Sequence, residues 1–181
     1  MRVLNGAQSV SYMSDADGDE TQTLFEQRGL DMVSLPPDRV RRSWSTSLGE
    51  DYEPWIGTLS PPRTRELLQV LSPSSERLDL YYWKGATSVA PPLVTGRIIS
   101  VPSDTLWATI ERGTTIWQTP TYWWAFGHDW LVATYTDAAS SFVFTSEHLA
   151  SAISERFGQT CQRVTGESMV DDWARYTPDV V

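Results

Sequence analysis

Apolar positions change their spacing twice along this chain. The run SPPRTRELLQVLSP opens on Ser60, whose hydroxyl can accept from the first free N–H groups of a helix, and continues with prolines, which suit a first turn. Leu67, Leu68 and Leu71 then recur at helical spacing, with Pro73 past the end. A helix is predicted here. Upstream, TQTLFEQRG reads as a short helix closed by Gly29. LPPDRVRRSWSTSLG reads as another, with Val40 and Trp44 four apart and Gly49 at its end.

From Leu78 the spacing shortens. LDLYYW, GRIISV, TLWATI, TTIWQT, YWWAF, DWLVATY and SSFVFT are short runs of aromatic and β-branched residues and predict strands, with pairs such as Trp107 and Thr109 sorted by the pleat. Connections such as PSD, ERG, TP and GH are too short for helical crossovers, so neighbouring strands must run antiparallel. Past the last strand the spacing lengthens again. Thr145 or Ser146 caps SEHLASAISERF, which carries Leu149, Ile153 and Phe157 on one stripe and Gly158 beyond. The expectation is an α+β fold, with a largely antiparallel sheet over about residues 78–144 and helices before and after it. No linker divides residues 1–181, which read as a single domain.

Charge narrows the partners. With 14 basic and 23 acidic residues the chain carries −9, which repels phosphate backbones and favours a basic protein partner over nucleic acid. No apolar run approaches the ~20 residues of a membrane span, and the opening segment lacks the apolar core of a secretory leader, so a cytoplasmic location without membrane contact is expected. The one cysteine, Cys161, cannot close an internal disulfide and reads as a buried apolar residue. Two histidines, His128 and His148, and one cysteine do not make the spacing of a zinc site, and His148 is expected exposed in the first turn of the late helix. Neither a metal nor a cofactor is expected.

Two stretches carry candidate chemistry. In DADGDETQTLFE, Asp15, Asp17, Asp19 and Glu26 fall at calcium-ligand positions of an EF-hand loop. The sixth position, which requires glycine for its sharp turn, is Glu20, and the preceding segment reads poorly as a helix. A capping box of Thr23 and Glu26 explains the same residues, and is preferred. In TYWWAFGHDWLVATYTD, His128 and Asp129 lie in a turn between aromatic strands, where a histidine beside a carboxylate suits acid/base work. No nucleophile motif accompanies them, and neighbours in a strand face opposite ways, so a plain hairpin turn is the simpler account. For the same reason Trp123 and Trp124 must diverge: one meets a helix layer or lies open to a partner. Nine tryptophans serve either as a core of large rings or as interface anchors.

Trp123, Trp124, Asp129, Trp130, Val132, Ala133, Thr134 and Asp137 together make a pattern of paired tryptophans, a polar turn, an aromatic residue leading into VAT and an acidic residue. This block resembles a recurring segment of small, uncharacterised acidic proteins of high-GC Gram-positive bacteria, and LDLYYWKG is similar to a strand that precedes it there. The resemblance covers the C-terminal half and departs from the family at FVFTSE, where a glycine pair is usual. It implies no activity. The functional expectation is therefore a non-enzymatic protein-binding module, immunity-like or inhibitory, that neutralises a basic partner through Trp123, Trp124, His128, Asp129 and Asp137. The alternative is a small-molecule-binding protein or enzyme with an aromatic pocket near His128. A concavity shared by these side chains favours the ligand reading, and a flat exposed patch favours the partner.

Overall fold

The structure, a computed structural model, describes residues 1–4, 7–9, 52–55, 57–71, 77–91, 93–135 and 140–164. The calcium-loop candidates Asp15, Asp17, Asp19 and Glu26, the two upstream helices of the sequence reading, and Asp137 lie outside the described residues.

Seven strands make one antiparallel sheet. In chain order they are β1 (Arg2–Leu4), β4 (Arg77–Tyr81), β5 (Ile98–Pro102), β6 (Tyr122–Ala125), β7 (Trp130–Thr134), β8 (Ser140–Thr145) and β9 (Cys161–Gln162). Across the sheet they run β5-β4-β6-β7-β8-β1-β9, while β2 (Ala7–Ser9) and β3 (Tyr52–Pro54) pair separately. Three helices accompany the sheet: α1 (Pro61–Leu71), α2 (Leu106–Gly113) and α3 (Glu147–Phe157). The fold is α+β, with helices before, within and after the sheet segment.

Two helices follow their sequence punctuation. Ser60 accepts from the Arg63 N–H at 3.4 Å at the start of α1, and Ser146 accepts from the Leu149 N–H at 3.5 Å at the start of α3. The third is a correction. TLWATI forms most of α2 rather than a strand, and TTIWQT runs on as a loop with a single bridge from Thr114 to Val89. The physical reason is periodicity: Leu106 and Ile110, four apart, are both buried, and a 3-10 turn over Ser103–Thr105 leads into them. Trp107 consequently lies on a helix surface, under the Arg65 guanidinium at 4.3 Å and against Trp117 at 4.5 Å.

The period of two then divides the sheet into unlike faces. Leu78 and Leu80 of β4, Trp123 and Ala125 of β6, Trp130 and Val132 of β7, Val143 of β8, Val3 of β1 and Cys161 of β9 point one way. They form one core with Leu67 and Leu71 of α1, Leu106 and Ile110 of α2, and Ile153 and Phe157 of α3. An Arg156–Glu66 ion pair of 3.1 Å and a bond from buried Arg63 to Thr160 at 2.7 Å tie the C-terminal elements to α1. Among the described residues, no helix packs on the other face.

Candidate functional site

The open face is assembled by register. Ile98, Tyr81, Tyr122, Ala133, Phe142, Arg2 and Gln162 are successive cross-strand partners and make one row; Ser100, Asp79, Trp124, Leu131 and Phe144 make the next. Ala133, Phe142 and Arg2 are buried, so the exposed part of this face runs from β5 across β4 and β6 to Leu131 and Phe144. Large rings stand in the middle strands because the alternation of β4 and β6 puts Tyr81 with Asp79 and Tyr122 with Trp124. Between them lies a concavity of about 670 Å³, lined by Tyr81, Ile98, Tyr122, Trp124, His128 and Leu131 and bordered by Trp130, whose ring belongs to the core. Its walls are almost wholly apolar. The size falls within the roughly 300–1,000 Å³ of small-molecule sites, but the groove lies open along one side.

Apolar exposure continues past the groove. Ile98 is 62% exposed, Phe144 60% and, in the turn after β6, Phe126 67%. Phe126 extends β6 on the open face, since its N–H donates to the Arg77 carbonyl at 3.1 Å. Tyr135, 44% exposed, follows β7 on the same face and shares a hydrogen bond with the Tyr122 phenol. Burial first, and then Tyr135 and Tyr81, push the Tyr122 phenol above its ordinary range, so it serves as a neutral group.

The predicted site residues separate. Trp123 is fully buried on the helix side, edge-on to Trp130 with ring centroids 5.5 Å apart and planes at 84°. Trp124 stands half-buried in the groove wall. His128 lines the lip of the groove with φ 61°, a left-handed conformation that side chains other than glycine rarely take, and its N–H closes the turn on the Ala125 carbonyl at 2.8 Å. Asp129 is exposed, forms no hydrogen bond or ion pair with His128, and does not line the groove. Trp124 and His128 thus share a concavity that Trp123 and Asp129 do not enter. Sequence reasoning missed Tyr81, Ile98, Tyr122 and Leu131, whose only signal is alternation within runs far apart in the chain.

Further features bound the chemistry. Among the described residues no three His, Cys, Asp or Glu side chains cluster to hold a metal ion, and no helix is long and apolar enough to cross a membrane. Cys161 is buried, and burial raises its thiol pKa. The described residues hold nine of the 14 basic and eight of the 23 acidic side chains, so the acidity of the chain belongs mainly to residues 10–51 and 165–181 rather than to the sheet and its helices. No protein-family model, curated protein or solved structure matches the chain.

Proposed function

We propose that this is a non-enzymatic protein-binding module, and that its working surface is the open face of the sheet. The observation carrying this reading is the gathering of exposed Ile98, Phe126, Tyr135 and Phe144 around one aromatic groove on a part of the sheet face that no helix among the described residues covers. Extended apolar surface of this kind marks interaction sites, because a monomer gains nothing by leaving such area in water. Aromatic side chains in a partly closed groove also suit the anchor-and-rim arrangement of protein interfaces. The near balance of charge on the described body argues that contact on this face relies on apolar area and local groups rather than on bulk negative charge.

The test is capture from the source cell by immobilised protein, run beside the double variant Phe126→Asp, Phe144→Asp. Both residues are majority-exposed, so the variant should keep its thermal midpoint and lose the captured partner. Equal capture by both proteins would place binding elsewhere.

A second reading, an apolar small-molecule site, is favoured by the shared concavity of Trp124 and His128. Saturable binding of an uncharged naphthalene probe at micromolar concentration, lost in Trp124→Ala, would support it.

A further inference from the structure

The sheet ends differently at its two edges. One side closes on β9 with two residues, whereas β5, at the other, presents five, Ile98–Pro102, none of them charged. In an antiparallel ladder every second residue exchanges both main-chain bonds with its opposite number, and the residues between turn theirs the other way. Thr134 donates to the Thr121 carbonyl and Phe126 to that of Arg77, which sets the phase. Arg77, Asp79 and Tyr81 therefore bond β6, while Leu78 and Leu80 bond Val101 and Ile99 of β5. Ile98, Ser100 and Pro102 turn outward, and no strand among the described residues pairs with them. Pro102 has no N–H, and its carbonyl already accepts from the Thr105 hydroxyl at 2.9 Å. The edge thus offers two donors and two acceptors, at Ile98 and Ser100. Arg77 donates to the Ser100 carbonyl at 3.4 Å, and the second lone pair of that oxygen is left for a ladder bond.

We infer that β5 pairs with β5 of a second copy, antiparallel about a two-fold axis through Ile99, so that Ile98 of each copy lies opposite Ser100 of the other. This goes beyond the docking reading and does not depend on it. The register uses every outward donor and acceptor of Ile98 and Ser100 and asks nothing of Pro102. A shift along the strand in one direction sets Ile98 against Pro102, which has no donor. A shift in the other sets Ser100 against Gly96, whose N–H is already given to the Tyr82 carbonyl at 2.7 Å. The matching set is the strand's own, since a second β5 carries the same groups at the same spacing. Ile98, 62% exposed, then covers its twin diagonally across the axis, and no like charges oppose each other over residues 98–102. Pairing consumes the edge of both copies, so assembly closes at two. The two open faces point the same way, and the dimer carries two aromatic grooves on one continuous sheet.

The test is sedimentation equilibrium of the full chain over about 1–500 µM, where a monomer–dimer equilibrium is expected with a dissociation constant on the order of 10–100 µM, as suits a small interface. Because the chain carries −9, like copies repel, and the dimer should tighten as salt is raised. Ser100→Pro removes an outward N–H without touching a bond to β4, and should keep the thermal midpoint while weakening the dimer at least about tenfold. Ser100→Ala, which loses only the hydroxyl bond to Asp79, should dimerise as the wild type does. Ile98→Lys, at an exposed side chain, gives the same reading as Ser100→Pro should the proline variant unfold. In a sample half ¹³C-labelled and half unlabelled, the two Ile99 Hα atoms should show a cross-copy contact, which fixes the register. A chain that stays monomeric at every concentration overturns the inference, as does a dimer that Ile98→Lys leaves unchanged. A monomer that loses its captured partner in Ile98→Lys also overturns it, in favour of a strand supplied by that partner. The Phe126/Phe144 capture experiment separately decides the docking reading.

Discussion

Trp123 and Trp124 are the same side chain in opposite situations, one residue apart. Trp123 has no exposure and fills the core, so Trp123→Ala should cost about 3–5 kcal/mol of stability by urea denaturation. Trp124 is half-buried, and Trp124→Ala should cost only about 1–2 kcal/mol while abolishing binding at the groove. A pair of variants with equal stability loss would contradict the assignment of faces. His128 makes a complementary case. Its left-handed backbone costs about 1–2 kcal/mol, and a glycine there would return roughly 0.5–1 of that as unfolded-chain entropy, so His128→Gly should stabilise by about 0.5–1 kcal/mol. A loss of stability in the same denaturation series would show that the imidazole makes compensating contacts. Divergence of the two tryptophans was legible in the sequence, because adjacent strand residues must face opposite ways. Which ring turns inward was not, since that depends on the register of Leu80 against Trp123 and of Trp123 against Val132.

At the scale of elements, legibility followed punctuation. Ser60 and Ser146, each set before an apolar stripe at helical spacing, announced α1 and α3 before any tertiary contact was known. TLWATI was misread because Trp, Thr and Ile dominate its local preference. The spacing of Leu106 and Ile110, together with the acidic Asp104 at the preceding turn, carried the true signal, and burial against the core settled it. The end of α2 gives a sharp prediction. A Cβ at Gly113 would lie 2.4 Å from Leu93 Cγ, too close for either group, and Leu93 is itself buried. Gly113→Ala should therefore destabilise by about 1–3 kcal/mol, measured by thermal or urea unfolding. Combined with Leu93→Ala, the two losses should sum to less than their separate values, and full additivity would place the clash elsewhere.

At the scale of the molecule, one face of the sheet packs the core and the exposed part of the other carries the aromatic groove. The α+β class and antiparallel pairing were readable from short turns and the period of two. The groove was not, because Tyr81, Ile98, Tyr122 and Leu131 come from four strands and meet only through register. The core side has its own pH signature. Tyr82 is buried and donates to the Gln118 carbonyl at 3.2 Å, and burial raises its phenol far above the ordinary value of 10.0. A raised folded-state pKa means the folded chain holds the proton that the unfolded chain releases. Its contribution is therefore complete below pH 10 and is lost as pH rises past it, by up to about 1.4 kcal/mol per pH unit. Alkaline unfolding of the wild type should thus be steeper above pH 10 than that of Tyr82→Phe, and identical slopes would contradict the assignment.

The most direct test of the open face as the working surface is hydroxyl-radical footprinting of the protein alone and with its captured partner. Protection is predicted at Tyr81, Tyr122, Trp124, Phe126 and Phe144, while Ile116, exposed on a loop and outside the groove lining, stays equally reactive in both states. Protection at Ile116 with the groove rings unchanged would show that the partner sits somewhere else on the molecule.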